Sequence, residues 1–103
     1  MATQQLEKIG EQFLINWLQS HGYYRVERQI GGTNIEADGS MRKMLVHLII
    51  AQAPHRPNMP QANEVRNIKS HAASLYREPW VALMRIDTSG QIVENVQWFN
   101  LAK

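Results

Sequence analysis

The stretch Met44–Ala51 constrains the fold more than any other part of this 103-residue chain. Seven of its eight residues are apolar, and only His47 interrupts them. The run is less than half of the roughly 20 residues that a membrane-spanning helix needs. Short apolar runs of this kind are typical of strands that are covered on both faces. We therefore predict a strand over Lys43–Ala51 at the centre of a sheet, with other layers packed on both sides.

The remaining elements follow from the spacing of apolar residues. A helix is predicted over residues 4–21, where apolar and aromatic side chains recur at spacings of three and four. A second helix is predicted over residues 61–76 for the same reason. Alternating and β-branched patterns predict four further strands, over residues 23–30, 33–38, 80–87 and 92–101. Gly31-Gly32 indicates a turn, and the proline-rich residues 53–60 indicate a loop.

The predicted order of elements is α-β-β-β-α-β-β. The strand after the helical crossover is expected to run parallel to a neighbour, whereas the first three strands form a meander, so the sheet is mixed. One helix on each face of that sheet would give a three-layer α/β sandwich. Residues 1–103 are predicted to form one domain, because a chain of this length builds a single core.

Composition excludes several kinds of site. The chain has no Cys, which removes disulfides, thiolate zinc sites and Cys nucleophiles. It begins without the basic and apolar segments of a signal peptide, so we expect a cytoplasmic protein that has no membrane partner. The formal net charge of +2 is too small to indicate nucleic-acid binding by itself. Neither a nucleophile-elbow motif nor a phosphate-binding Gly-rich loop is present.

The order of elements and several short motifs resemble the PD-(D/E)xK, or restriction-endonuclease-like, nuclease superfamily. Gly10-Glu11 matches a first-helix Gly-Glu pair whose Glu can help hold a metal in many members. Asn34–Ala37 resembles the second-strand segment Asp-Ile-Glu-Ala of small members. Leu45–Ile49 lies where the third strand carries an apolar pair followed by Glu-x-Lys or Gln-x-Lys, and the loop and the helical segment Glu64–Ser70 are also similar. The resemblance covers the whole chain and implies a restriction-endonuclease-like sandwich.

The resemblance also implies magnesium-dependent phosphodiester hydrolysis by two acidic groups and a Lys. In this chain Asn34 replaces the Asp, His47 stands at the second acidic position, and Ile49 stands at the position of the Lys. An imidazole is a poor magnesium ligand, and a hydrocarbon cannot bind a phosphate. These three degenerate catalytic positions predict a nuclease fold that does not cleave, needs no cofactor and retains nucleic-acid binding, with DNA as the expected partner.

Two alternatives stay open. Glu11, Glu36 and His47 could form a rearranged catalytic and metal-binding site that uses Mn²⁺ or Mg²⁺. The competing interpretation is a polar cluster satisfied by hydrogen bonds, in which His47 is a hydrogen-bonded core histidine. The chain could instead be a protein-interaction module or an accessory protein without nucleic-acid binding.

Basic residues on the second helix and near the strand ends are the candidate nucleic-acid contacts: Arg42, Lys43, Arg56, Arg66 and Lys69. In the nuclease fold, loops at the strand ends border the substrate cleft. The competing interpretation is a solvated surface that carries scattered charges. The final strand, Ile92–Leu101, is a candidate edge for a symmetric homodimer.

Overall fold

A mixed five-stranded sheet forms the centre of the molecule. The computed structural model describes residues 3–30 and 34–102. The helices are α1 (Thr3–Ser20) and α2 (Ala62–Ser74). The strands are β1 (Arg25–Arg28), β2 (Asn34–Asp38), β3 (Lys43–Gln52), β4 (Glu78–Ile86) and β5 (Gln97–Asn100). An α/β protein with two helices and one mixed sheet is therefore confirmed.

The strands lie in the same order in space as in the chain, from β1 at one edge to β5 at the other. β1, β2 and β3 form an antiparallel meander, β4 runs parallel to β3, and β5 runs antiparallel to β4. The helix α2 makes the crossover that a parallel pair requires. β3 is thus the central strand, as its apolar sequence predicts.

The two faces of the sheet are covered by different helices. On one face, Val46 packs in a buried cluster with Leu14 of α1. On the other face, Ile49 and Val81 pack with Ile68 of α2. Successive side chains of a strand point to opposite faces, so the nearly continuous apolar sequence of β3 supplies both clusters. We call these two sides of the sheet the α1 face and the α2 face.

Gly10 brings α1 close to the sheet. A Cβ atom at this position would lie 3.1 Å from both Ile50 Cγ1 and Met84 Sδ, and closer still to Ile50 Cδ1. Real Cβ atoms rarely have such near neighbours, so a larger residue would displace the side chains of β3 and β4. The glycine of the Gly10-Glu11 pair therefore has a packing role, whatever the role of the acid beside it.

The turn from α2 into β4 contains a left-handed residue that is not glycine. Tyr76 has φ of 57° and a side chain that is 91% exposed. The N–H of Arg77 donates to the carbonyl of Ala72 at 2.9 Å, and the N–H of Tyr76 donates to the carbonyl of Ala73 at 3.1 Å. These are the two hydrogen bonds of a Schellman helix end. The turn places Arg77 next to the sheet, immediately before β4.

Several predicted boundaries are wrong by a few residues. β1 begins at Arg25 and ends at Arg28, inside the predicted range 23–30. The last strand is much shorter than the predicted 92–101, because it begins at Gln97 and only an isolated bridge between Ile92 and Ile86 precedes it. The register explains this difference: Ile92 lies opposite Ile86 and Gln97 lies opposite Leu83, so four residues on this strand face two on β4 and the ladder is interrupted over residues 93–96.

The predicted loop over residues 53–60 contains neither helix nor strand, and its Ala53–Pro54 peptide bond is cis. The predicted turn at Gly31-Gly32 and the first residue of the predicted strand 33–38 lie outside the described residues. Within the described residues, neither helix has the length and apolar character that a membrane crossing demands.

Candidate functional site

Asn34 and His47, which the resemblance aligns with two acidic positions, are hydrogen-bonded to each other. They are cross-strand partners on β2 and β3, so their side chains share the α2 face. His47 Nδ1 lies 2.7 Å from Asn34 Oδ1. Asn34 Nδ2 donates to Gln29 Oε1 at 3.4 Å, which orients the amide so that its oxygen accepts from His47. The proton of the neutral His47 ring is therefore on Nδ1.

Gln29 connects this pair to a carboxylate. Its Nε2 donates to Glu36 Oε2 at 2.9 Å, while its Oε1 also accepts from His71 Nε2 of α2 at 3.1 Å. The hydrogen bonds therefore run in one direction, from His47 through Asn34 and Gln29 to Glu36. We call these four side chains and His71 the polar chain of the α2 face.

Arg77 neutralises the two carboxylates of β2. It places Nη2 3.0 Å from Glu36 Oε1 and Nη1 2.6 Å from Asp38 Oδ1, and its side chain is only 8% exposed. Arg25 binds the other oxygen of Asp38 at 3.0 Å. Arg77 lowers the pKa of Asp38 and Arg25 adds to that effect, although burial of the carboxyl opposes both. Both carboxylates of β2 are therefore held by arginine, and Asp38 is more than the turn residue that its position before Gly39 suggests.

His47 is partly buried between β3 and α2. Burial lowers the pKa of its imidazole, and the negative charge of Glu64 on α2 opposes that shift. The hydrogen bond to Asn34 places it in the polar chain, as the interpretation of a hydrogen-bonded core histidine requires. Ile49, which the resemblance aligns with a Lys, lies two residues along the same strand face and packs against the cluster of Ile68 and Val81. Ile49 is thus part of the hydrophobic contact between the sheet and α2.

Glu11 lies on the opposite side of the sheet. Its helix packs on the α1 face, and its buried carboxylate is 3.4 Å from Nη1 of Arg28. Glu36 and His47 both belong to the α2 face, so the sheet separates them from Glu11. Over residues 3–30 and 34–102, no group of three or more His, Asp or Glu side chains is arranged to hold a metal ion. The rearranged metal site predicted from Glu11, Glu36 and His47 is therefore not assembled.

The five basic residues predicted to contact nucleic acid do not form one patch. Arg42 and Lys43 lie at the start of β3 and Arg56 lies four residues after its end. A strand of ten residues separates the two ends by about 30 Å. Arg66 and Lys69 follow Arg56 in the chain, on α2, and both are exposed.

Two of the five already have acidic partners. Arg42 pairs with Glu78 at 3.2 Å and lies over the ring of Trp80 at 5.5 Å from its centroid. Arg56 is 4.0 Å from Glu94, which also binds Arg85. The other three candidate contacts have no acidic partner in the part of the chain that the structure describes: Lys43, Arg66 and Lys69.

Sequence reasoning missed the residues that complete this site. Gln29 and His71 are 42 residues apart, and Arg77 is 39 residues from Asp38. One signal was available for Arg77, because β2 places Glu36 and Asp38 on one face and two adjacent carboxylates need a counter-charge. No local pattern shows that the residue after α2 supplies that charge.

Chemically, the polar chain is a neutral amide–imidazole pair joined to a carboxylate that an arginine already holds. Such a site can position hydrogen-bonding groups, but it lacks the concentrated negative charge that a hard cation needs.

No model of a known protein family and no curated protein matches this chain.

Proposed function

We propose that this chain is a restriction-endonuclease-like domain that does not hydrolyse phosphodiesters and that binds nucleic acid through the α2 side of its sheet. The observation that carries the proposal is the 2.7 Å contact between His47 Nδ1 and Asn34 Oδ1. By resemblance, these two positions would carry the metal ligands of an active nuclease. Here their side chains satisfy each other instead of a cation.

Two further contacts argue against hydrolysis. Arg77 pairs with one oxygen of the Glu36 carboxylate and Gln29 donates a hydrogen bond to the other, so both oxygens already have partners. Ile49 packs against α2 where an active enzyme would present an ammonium group to the phosphate. Preorganised charge supplies most of the catalysis in such reactions, and the three motif positions here offer an amide, an imidazole and a hydrocarbon in place of two acidic groups and a Lys.

The topology supports the restriction-endonuclease-like assignment. An antiparallel meander, a helical crossover and a fourth strand parallel to the third follow the first helix, in the order that the resemblance implies. The resemblance also requires that the second-strand Asp position face the acidic position of the third strand. Asn34 and His47 are direct cross-strand partners, which meets that requirement.

Binding to nucleic acid is attributed to Lys43, Arg66 and Lys69. All three are exposed and belong to the α2 side, since Lys43 is the cross-strand partner of Asp38 and the others lie on α2. A protein that neutralises about three phosphates on duplex DNA should lose about 40-fold in affinity between 50 and 200 mM salt. The expected association is weak and depends strongly on salt.

Fluorescence anisotropy with a labelled DNA duplex tests this surface. We expect R66A/K69A to weaken binding at low salt and to reduce the loss between 50 and 200 mM salt to about three- to fourfold, because about one phosphate contact remains. Lys8→Ala is the matched control, since Lys8 is exposed on α1, at the other face of the sheet. Equal binding by R66A/K69A and the native chain, or an equal loss with Lys8→Ala, would contradict the assignment of this surface.

Incubation of supercoiled plasmid with Mg²⁺ or Mn²⁺ tests the absence of cleavage. We expect the plasmid to remain intact with the native chain and with Glu36→Ala. Strand scission that purifies with the native chain and disappears in Glu36→Ala would overturn the proposal, because a contaminating nuclease would act in both samples.

A protein-interaction module is the second candidate, and one observation favours it. Three large apolar residues are exposed at the end of the sheet where β1, β3 and β4 begin: Tyr24 at 73%, Met41 at 95% and Tyr76 at 91%. Exposed apolar groups that lie together often mark protein contacts. The test is a variant in which Tyr24, Met41 and Tyr76 are all replaced by Ser. Loss of a protein partner by this variant but not by R66A/K69A, together with no DNA binding by the native chain at low salt, would favour this candidate over nucleic-acid binding.

A further inference from the structure

The strand β5 forms an edge of the sheet that no charge protects. It pairs with β4 on one side and is the last strand in the order. Its four residues, Gln97–Asn100, carry no charge. The opposite edge strand β1 has three charged residues among four. Charged side chains are a common means by which edge strands avoid pairing with other chains, so the two edges differ in their capacity to associate.

The backbone of β5 presents a definite set of free groups. The N–H of Leu101 donates to the carbonyl of Pro79 at 2.9 Å, and Phe99 is the register partner of Val81. Because hydrogen-bonded and non-hydrogen-bonded pairs alternate along an antiparallel ladder, Gln97, Phe99 and Leu101 direct their backbone groups toward β4. The N–H and carbonyl groups of the residues between them, Trp98 and Asn100, therefore point away from the sheet.

We propose that β5 pairs with β5 of a second copy of this chain, antiparallel, about a twofold axis that passes beside Phe99. In this register Trp98 faces Asn100 of the second copy, and Asn100 faces its Trp98. Each such pair exchanges two hydrogen bonds, so about four bonds satisfy all the outward backbone groups of the two strands. One continuous sheet then runs through both copies.

The side chains fit the same twofold arrangement. Phe99 is 39% exposed, and in this register it lies directly opposite Phe99 of the second copy as a non-hydrogen-bonded pair. Side chains in such pairs are the closest across a ladder, and aromatic pairs stabilise it. On the α1 face a groove of about 500 Å³ borders the same margin, and it is lined mainly by apolar side chains that include Phe13, Val93 and Trp98. β5 itself carries no charge, and Glu94, which lines the groove, is already paired with Arg85 at 2.6 Å, whereas a second copy matches the edge in hydrogen bonds and in apolar surface.

Cysteine cross-linking tests the register. The chain contains no Cys, so a single introduced thiol can form a disulfide only with another copy. Phe99→Cys places two thiols opposite each other across the axis, within the Cα separation of about 4.4–6.8 Å that disulfides require. Gln97→Cys is the matched control, because Gln97 is exposed on the same strand and face but lies opposite Leu101 of the second copy.

We expect mild oxidation to cross-link Phe99→Cys at least about tenfold more than Gln97→Cys at equal concentration, since only the former meets the geometric requirement. Equal cross-linking of the two variants, cross-linking of Gln97→Cys alone, or none in either would overturn the proposal.

Sedimentation equilibrium of the cysteine-free chain gives an independent measurement. We expect a concentration-dependent monomer–dimer equilibrium, which Asn100→Pro weakens by at least about tenfold because proline removes one outward N–H in each copy. Asn100→Ala is the control: it removes the hydrogen bond that Asn100 Oδ1 accepts from the N–H of Ala102, but residue 100 keeps its backbone N–H. A native chain that stays monomeric throughout the concentration series, or equal weakening by both variants, would contradict pairing through this edge.

Discussion

Replacing Arg77 with Met should destabilise the fold more than any change to an exposed charge. The Arg77 side chain is 8% exposed and bridges Glu36 and Asp38 at 3.0 and 2.6 Å. Methionine keeps much of the aliphatic volume but supplies no donor. Two carboxylates, of which that of Asp38 is only 10% exposed, would lose their buried counter-charge. Arg25 still binds Asp38 from the exposed side, so compensation is partial.

The expected loss can be estimated from these contacts. A hydrogen bond to a charged group contributes about 1.5–3 kcal/mol. The bond to Asp38 is short and well shielded, whereas Glu36 is 24% exposed and can be hydrated in part. Removal of one partner of a buried ion pair typically costs about 3–5 kcal/mol, and we expect a loss in that range. Since 1 kcal/mol corresponds to about 4–8 °C for a domain of about this size, Tm should fall by at least about 12 °C.

Urea unfolding followed by circular dichroism measures the free energy of unfolding of each variant. Arg66→Met is the matched control, because Arg66 is exposed on α2 and its loss should change stability by less than about 0.5 kcal/mol. In the Arg77→Met background, Asp38→Asn should recover part of the loss, since it removes a charge that is left without its main partner. A loss below about 1 kcal/mol for Arg77→Met would refute this reasoning about the ion pairs.

The effect of Arg77→Met should also depend on pH. Arg77 is the largest cause of the lowered pKa of Asp38 in the folded chain. The unfolded chain therefore binds that proton more tightly, with an ordinary carboxyl pKa of about 3.9. The contribution of Asp38 to stability is complete above that value and is lost as pH falls through the lower pKa of the folded state. The stability difference between the native chain and Arg77→Met should thus be largest near neutral pH and should decrease below about pH 4.

Three further predictions concern single positions. Tyr76→Gly should raise Tm by a few degrees, because glycine adopts the left-handed φ of 57° without the cost of about 1–2 kcal/mol that other residues incur, and its greater entropy in the unfolded chain offsets only part of this gain. Gly10→Ala should cost less stability in the Ile50→Val background than in the native chain, by about 0.5–2 kcal/mol in a double-mutant cycle, because valine lacks the Cδ1 atom that the new Cβ meets. Burial lowers the pKa of His47, so the native chain should lose stability as pH falls below about 6.5. The urea midpoints at pH 7 and pH 5 should therefore differ less in His47→Gln than in the native chain.

The order of the helices and strands along the chain can largely be predicted from local patterns in this sequence. The apolar run from Met44 predicts a strand buried on both faces, and β3 is the central strand with two different clusters against it. The three- and four-residue spacing in α1 predicts a buried stripe that includes Phe13 and Leu18; Leu18 is fully buried, whereas Phe13 is exposed and the fully buried Leu14 was not predicted. Periodicity predicts such elements because a buried face must repeat with the geometry of its own helix or strand. The start of β5 was not predictable in this way, since it depends on a change of register against β4 between Ile92 and Gln97, which apolar spacing does not reveal.

By itself, the sequence determined which chemical groups stand at the positions that resemble the nuclease motif: an amide at Asn34, an imidazole at His47 and a hydrocarbon at Ile49. It also placed Asn34 and Glu36 on one face of a strand, because side chains alternate with a period of two. Only the tertiary structure decided what those groups contact. It put Glu11 behind the sheet, and it brought Arg77 from the end of a distant helix onto Glu36. The physical reason is that charge pairing depends on which elements pack together, and a local pattern contains no information about a partner tens of residues away.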